Sequence, residues 1–152
     1  MPTHESRTMT ELAKKRPEFR NINLVTDVPG YRLPIAGLVS ILHRVSGVLM
    51  FALMPFIIWL FDTSLSSEIS FARFTSAFSH GLWIFPGFVI KLVALALIWA
   101  YLHHFFAGLR HLWMDVSHAA VTRESGAKSA RFTLVASLLL TVVLGARLFG
   151  LY

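Results

Sequence analysis

The chain contains no cysteine in its 152 residues. That absence excludes disulfides, thiolate metal ligands, cysteine nucleophiles and thioether-attached haem. Charge is also scarce. Only 14% of the residues are charged, against about a quarter in an ordinary soluble domain. Hydrophobic residues make up 55% of the chain, its mean hydropathy is +0.63, and the apolar residues lie in blocks. Such blocks point to membrane spans and leave no room for a large soluble domain. Acidic residues are the scarcer charged class, eight against fourteen Lys and Arg. In a soluble protein the resulting net charge of +6 would raise nucleic acid as a partner. Here the basic residues flank apolar runs and form no stripe, so no nucleic acid is expected. No internal repeat and no low-complexity segment is present. The residues ahead of the first apolar run are polar, mixed in charge and unlike a signal peptide, so that run is expected to persist as a span.

What is present reads as an all-α membrane protein with three transmembrane helices in a lipid bilayer. A polar arm occupies 1–34 and contains a Pro29–Gly30 turn signal. The first helix is expected over 35–61, with Pro55 as a possible kink, and an external loop over 62–82. Within that loop, Phe71 to Phe78 reads as a short interfacial helix. The second helix is expected over 83–114, a cytoplasmic loop over 115–130, and the third helix over 131–150. Lys91 is placed to snorkel outward. Trp83, Trp99, Tyr101 and Trp113 read as interfacial anchors or bundle packing.

Basic residues set the expected topology. Arg7, Lys14, Lys15, Arg16, Arg20 and Arg32 lie in the arm, and Arg123, Lys128 and Arg131 lie in or beside the second loop. The first loop carries Arg73 alone. The positive-inside rule therefore puts the N-terminus and second loop in the cytoplasm and the C-terminus outside, as in a bacterial inner membrane. It also brings polar groups of the first two helices to similar depth.

Ser40, His43, Arg44 and Gly47 fall at i, i+3, i+4 and i+7, one helical face. An arginine inside a span needs an anionic or carbonyl partner, and none of the three expected spans contains Asp or Glu. A headgroup phosphate, a cofactor carboxylate, a quinone oxygen or another subunit would serve; snorkelling to the interface is the plain alternative. His104, Gly108, His111 and Asp115 form a second face. A neutral imidazole is a good iron ligand, and a haem takes one axial group on each side. Gly108 would leave room for a flat macrocycle, and Arg110 and His111 could hold propionates. His103 points about 100° away from His104, and spacing alone does not choose between them.

Ser40, His43, Arg44, Ser46 and Gly47 resemble the Ser-x-x-His-Arg-x-Ser-Gly signature of the succinate dehydrogenase cytochrome b subunits, the larger membrane anchors of complex II. His104, Gly108, Arg110, His111, Met114 and Asp115 are similar to that family's second signature. The resemblance covers about residues 32 to 150 and departs in the arm, where Arg16–Pro17 lies farther upstream than usual. It implies that His104 is an axial ligand of haem b, selected over His103 by its register with Gly108, Arg110 and His111. It implies that Ser40 and Arg44 line a ubiquinone pocket, and that His43, Arg44 and His111 lie near the haem propionates. The chain would then be half of a two-subunit haem-binding helix bundle. A second small anchor subunit would supply the other axial histidine, an iron–sulfur subunit the electrons and a flavoprotein the succinate chemistry. Neither the flavin nor the cluster chemistry fits this chain, which has no dinucleotide fingerprint and no cluster cysteines. The alternatives are the anchor of a fumarate reductase, a cofactor-free structural anchor and, least, a small transporter, which usually shows a repeat.

Overall fold

The computed structural model describes Gly30 and residues 33–152. The expected arm, including Arg16–Pro17, lies almost wholly outside the described residues. Five α-helices follow in order: α1 (Ile35–Ala52), α2 (Met54–Leu65), α3 (Glu68–Ser79), α4 (Gly87–Val116) and α5 (Arg123–Leu148). A 3₁₀ turn at His118–Val121 joins the last two. There is no β-strand among the described residues. Three helices, α1, α4 and α5, are long and apolar enough to cross a membrane.

Proline and glycine set most of the boundaries. Pro34 precedes α1 with extended geometry, a position where its missing N–H costs little. The first expected helix is two helices. Pro55 sits in the first turn of α2 and has no N–H for the carbonyl of Phe51. The chain therefore breaks at Leu53 (φ −92°, ψ 8°), although Leu53 N–H still bonds Leu49 O and Ile57 N–H bonds Leu53 O, both at 3.0 Å. Most of the expected external loop is helical. Ser67 and Ser70 form a reciprocal capping box, so α3 starts before Phe71 and includes Glu68.

A tight turn then reverses the chain. Leu82 and Phe85 exchange backbone hydrogen bonds at 2.8 and 2.9 Å. Gly81 (φ +102°) and Trp83 (φ +54°) both take left-handed backbone. Trp83 is almost wholly exposed, and the second long helix starts only at Gly87, after Pro86. A Cβ on Gly87 would lie 2.6 Å from Phe78 O and 2.9 Å from Ser79 O. Only glycine lets the end of α3 approach the start of α4 this closely.

The third long helix starts at Arg123, eight residues ahead of expectation, and takes up much of the expected loop over 115–130. The Thr122 side chain accepts from Ser125 N–H at its N-terminus, and an exposed Glu124–Lys128 pair at 2.7 Å supports the first turn.

The long helices pack on one another through small and polar residues. α4 lies against both α1 and α5, and α1 also touches α5. The buried residues of α5 are Ala130, Thr133, Ser137, Thr141 and Gly145. Small residues let backbones approach where lipid offers no hydrophobic drive to associate. Their hydroxyls bond back to their own helix, as in Thr141 Oγ1 to Ser137 O at 2.7 Å. Large apolar side chains such as Val48, Phe132 and Val142 point outward. Such an outward apolar surface suits hydrocarbon. Lys91 bends over the Phe149 ring, 5.7 Å from its centroid.

Candidate functional site

The α4 segment from His103 to His111 carries two pairs of polar residues, each pair seven residues apart. Seven residues on an α-helix return within about 20° of the same direction. His103 and Arg110 share the side that meets α5, and His104 and His111 share the side that meets α1.

The α5 side is closed. His103 is 0% exposed, stacks on Trp99 with centroids 5.6 Å apart, and its Nδ1 lies 3.3 Å from Ser137 Oγ. Arg110 donates from Nε to Ser129 Oγ at 3.1 Å and from Nη2 to Gly126 O at 3.4 Å. Arg110 is thus turned into the α4–α5 contact and away from His104 and His111, contrary to its expected place among propionate-binding groups. Its bonds tie the start of α5 to α4.

The α1 side is where the imidazoles gather. The His43 ring stacks on His104 at 4.1 Å with an interplanar angle of 26°. It also faces His111, 5.2 Å away and tilted by 42°. Gly47 allows the closest approach, and Gly108 adds room beside His43. A Cβ on Gly47 would lie 3.0 Å from His104 Cε1. A Cβ on Gly108 would lie 4.0 Å from His43 Nε2. Each helix thus leaves a bare backbone patch beside the other helix's histidine.

Hydrogen bonds fix the proton on His104. Ser46 Oγ donates to His43 O at 2.8 Å, so toward other groups it offers only lone pairs. His104 Nδ1 lies 3.1 Å from His43 O and 3.3 Å from Ser46 Oγ. Both neighbours are acceptors, so Nδ1 carries the hydrogen of the neutral ring. The lone pair then sits on Nε2, which makes no hydrogen bond among the described residues. This is the usual arrangement of a metal-binding histidine, whose second nitrogen donates to a carbonyl or similar acceptor. His43 Nε2 is buried and likewise without a partner among the described residues. A ligand-ready nitrogen beside an orphaned buried one fits a planar metal macrocycle docked against this face.

Ser40 is half-buried on α1, and Arg44 is exposed. Neither makes a hydrogen bond or ion pair among the described residues. Arg44 lies nine residues into α1, about 14 Å along the axis from its start. Asp115 is exposed near the end of α4 and makes no bond to His111 among the described residues. Ser46 stood in the sequence only as part of the first signature, with no role assigned to it. Its signal was its place three residues after His43, about 60° round the helix.

The sequence pattern described as the succinate dehydrogenase/fumarate reductase transmembrane subunit matches residues 14–144. The chain is 33% identical over 126 residues to the succinate dehydrogenase cytochrome b556 subunit of Coxiella burnetii, covering 83% of this chain and 94% of that protein. The subunit of the same name from Paracoccus denitrificans is 28% identical over 113 residues, covering 74% and 81%. That from Rickettsia felis is 26% identical over 139 residues, covering 91% and 98%. With three membrane-crossing helices in order and a match across most of its length, this chain belongs to the succinate dehydrogenase/fumarate reductase transmembrane subunit family.

Proposed function

We propose that this chain is the membrane anchor of a succinate dehydrogenase that holds haem b jointly with a second small anchor subunit and helps form the ubiquinone site. The cytochrome b556 name of its relatives supports the haem. The observation that carries the site is His104. Its Nδ1–H is held by two acceptors on α1, which leaves Nε2 to bind iron. His103 also has an unpartnered Nε2 among the described residues, but it is 0% exposed and packed against Trp99 and Ser137, so burial and not the tautomer sets it apart. The haem, when bound, supplies a one-electron redox centre beside the quinone pocket.

The chain's own residues supply position and charge. His43 and His111 lie against His104, within reach of propionates bound on that face. Arg44 stands deep on α1, and an uncompensated cation there costs a few kcal/mol on insertion scales. A propionate or a quinone carbonyl offsets that cost. Arg44 donates to a quinone oxygen as negative charge builds on it, and Ser40, one turn earlier, adds a hydroxyl donor. Protons enter from the nearby aqueous side. The iron–sulfur subunit delivers electrons to this side of the membrane, and the flavoprotein oxidises succinate. The N-terminus lies in the cytoplasm of a bacterial cell and the C-terminus outside, because the basic residues crowd the arm and the α4–α5 connection.

Gly47→Val tests the site. The added side chain occupies the space taken by the His104 ring. Haem affinity should fall about tenfold or more, the usual effect of disturbing a ligand's support, while the partner subunits still co-purify. A full haem band in the assembled Gly47→Val complex would put the ligand elsewhere.

A further inference from the structure

Ser46 is the one fully buried polar side chain of α1 (0% exposed). It faces another helix, and its polar partner there, His104, is 58 residues away in sequence. A buried hydroxyl on a membrane helix commonly satisfies itself by bonding a carbonyl three or four residues back. Ser46 does so, to His43 O at 2.8 Å. That bond commits its only proton and aims its lone pairs elsewhere. His104 Nδ1 lies 3.3 Å away, and the same His43 carbonyl lies 3.1 Å from Nδ1. The His104 N–H is therefore shared between two acceptors that are themselves bonded to each other. This is a closed three-membered network, not a chance contact.

Such a network has an electronic consequence. Acceptors on the second ring nitrogen raise the basicity of a ligating imidazole. A more basic ligand stabilises the oxidised, more positive iron and lowers its potential. We propose that Ser46 tunes the electron affinity of the haem through His104, as a positioning residue with no contact of its own to the metal. The proposal rests on His104 being the axial ligand.

The sign follows from two opposed effects. Removing the Ser46 hydroxyl takes one acceptor from Nδ1–H, which raises the potential. It also frees the His43 carbonyl from a competing donor, which strengthens the remaining bond and lowers the potential. Polarisation of one hydrogen bond by its neighbour changes it by about 10–30%, whereas the first effect removes a bond outright. The rise dominates.

The test is a redox titration of the haem in the intact complex, purified in mild detergent with its partner subunits. Ser46→Ala should keep the haem band and raise its midpoint potential. At a fixed potential the reduced-to-oxidised ratio should change about threefold, or about 28 mV at 59 mV per decade for one electron. Ser46→Thr, which restores the hydroxyl, should return the wild-type value. Ser137→Ala removes the hydroxyl beside His103 and should leave the potential unchanged. An unchanged potential in Ser46→Ala overturns the proposal, as does an equal shift in Ser137→Ala. If Ser46→Ala loses its haem, Ser46→Cys takes its place. The weaker sulfur acceptor should shift the potential the same way by less, and a wild-type value there overturns the proposal. Haem retained in His104→Ala would instead refute the ligand assignment, whatever Ser46 does.

Discussion

Replacing His104 by alanine is expected to remove the b-type haem band from the purified complex, while replacing His103 by alanine should keep it. The two side chains are neighbours in sequence and differ in what surrounds them. His104 presents Nε2 on the α1-facing side, with its proton held on Nδ1 by His43 O and Ser46 Oγ. The other two imidazoles on that face are placed differently: His43 lies flat against His104, with its own Nε2 buried over Gly108, and His111 is tilted against His43 with no acceptor holding its proton among the described residues. Losing His104 therefore leaves the iron without an axial group from this chain. His103 is buried between helices. Its loss opens a cavity beside Trp99 and frees Ser137, whose hydroxyl keeps its bond to Leu134 O at 3.1 Å. No orphaned donor results, so the cost is packing alone. The measurement is a reduced-minus-oxidised spectrum of each variant, normalised to the co-purified flavoprotein. The opposite pattern, with haem lost in His103→Ala and kept in His104→Ala, would reverse the assignment.

Arg44→Ala should cut succinate:quinone reductase activity about a hundredfold, the scale set by losing one donor to a developing oxyanion. Succinate oxidation with a soluble artificial acceptor should persist, because that reaction does not pass through this chain. Depth and charge set the size of the effect. Arg44 is about 14 Å along α1, exposed on its face, and without an acidic partner among the described residues. Arg44→Lys should recover only part of the rate. Lysine keeps the charge and loses the planar fork. The haem spectrum of the same preparations separates the two roles given to Arg44. An intact band with slow quinone reduction assigns it to the quinone, and a lost band assigns it to the propionates. Equal loss of both activities would mean failed assembly and would remove the support for a quinone contact.

The long helices were legible because lipid imposes a coarse rule: apolar blocks of sufficient length cross. Their ends were less legible, because local backbone chemistry sets them. Pro55 breaks the first helix at Leu53, not at itself, since the missing N–H is felt one turn earlier. The start of α5 was hidden by polar residues. Thr122, Glu124, Ser125 and Lys128 read as loop by composition, yet they are a cap, its donor and an i,i+4 ion pair.

The site divided in the same way. His43, His104 and His111 showed themselves through helical period, a property of one helix at a time. Ser46 did not, because its role depends on a side chain of a different helix. Arg110 misled for the opposite reason. It lies beside His111 in sequence, but its direction is that of His103, and it was taken up by Ser129 and Gly126. Direction around the helix carried more information than proximity along the chain.

The central claim is that this anchor contributes half of a haem site to a succinate dehydrogenase. It is tested most directly by purifying the intact complex through this chain, identifying its subunits by mass spectrometry and recording its reduced-minus-oxidised spectrum. The account predicts a flavoprotein, an iron–sulfur subunit, a second small anchor and a b-type haem band. The same four-subunit assembly with no b-type band would contradict it.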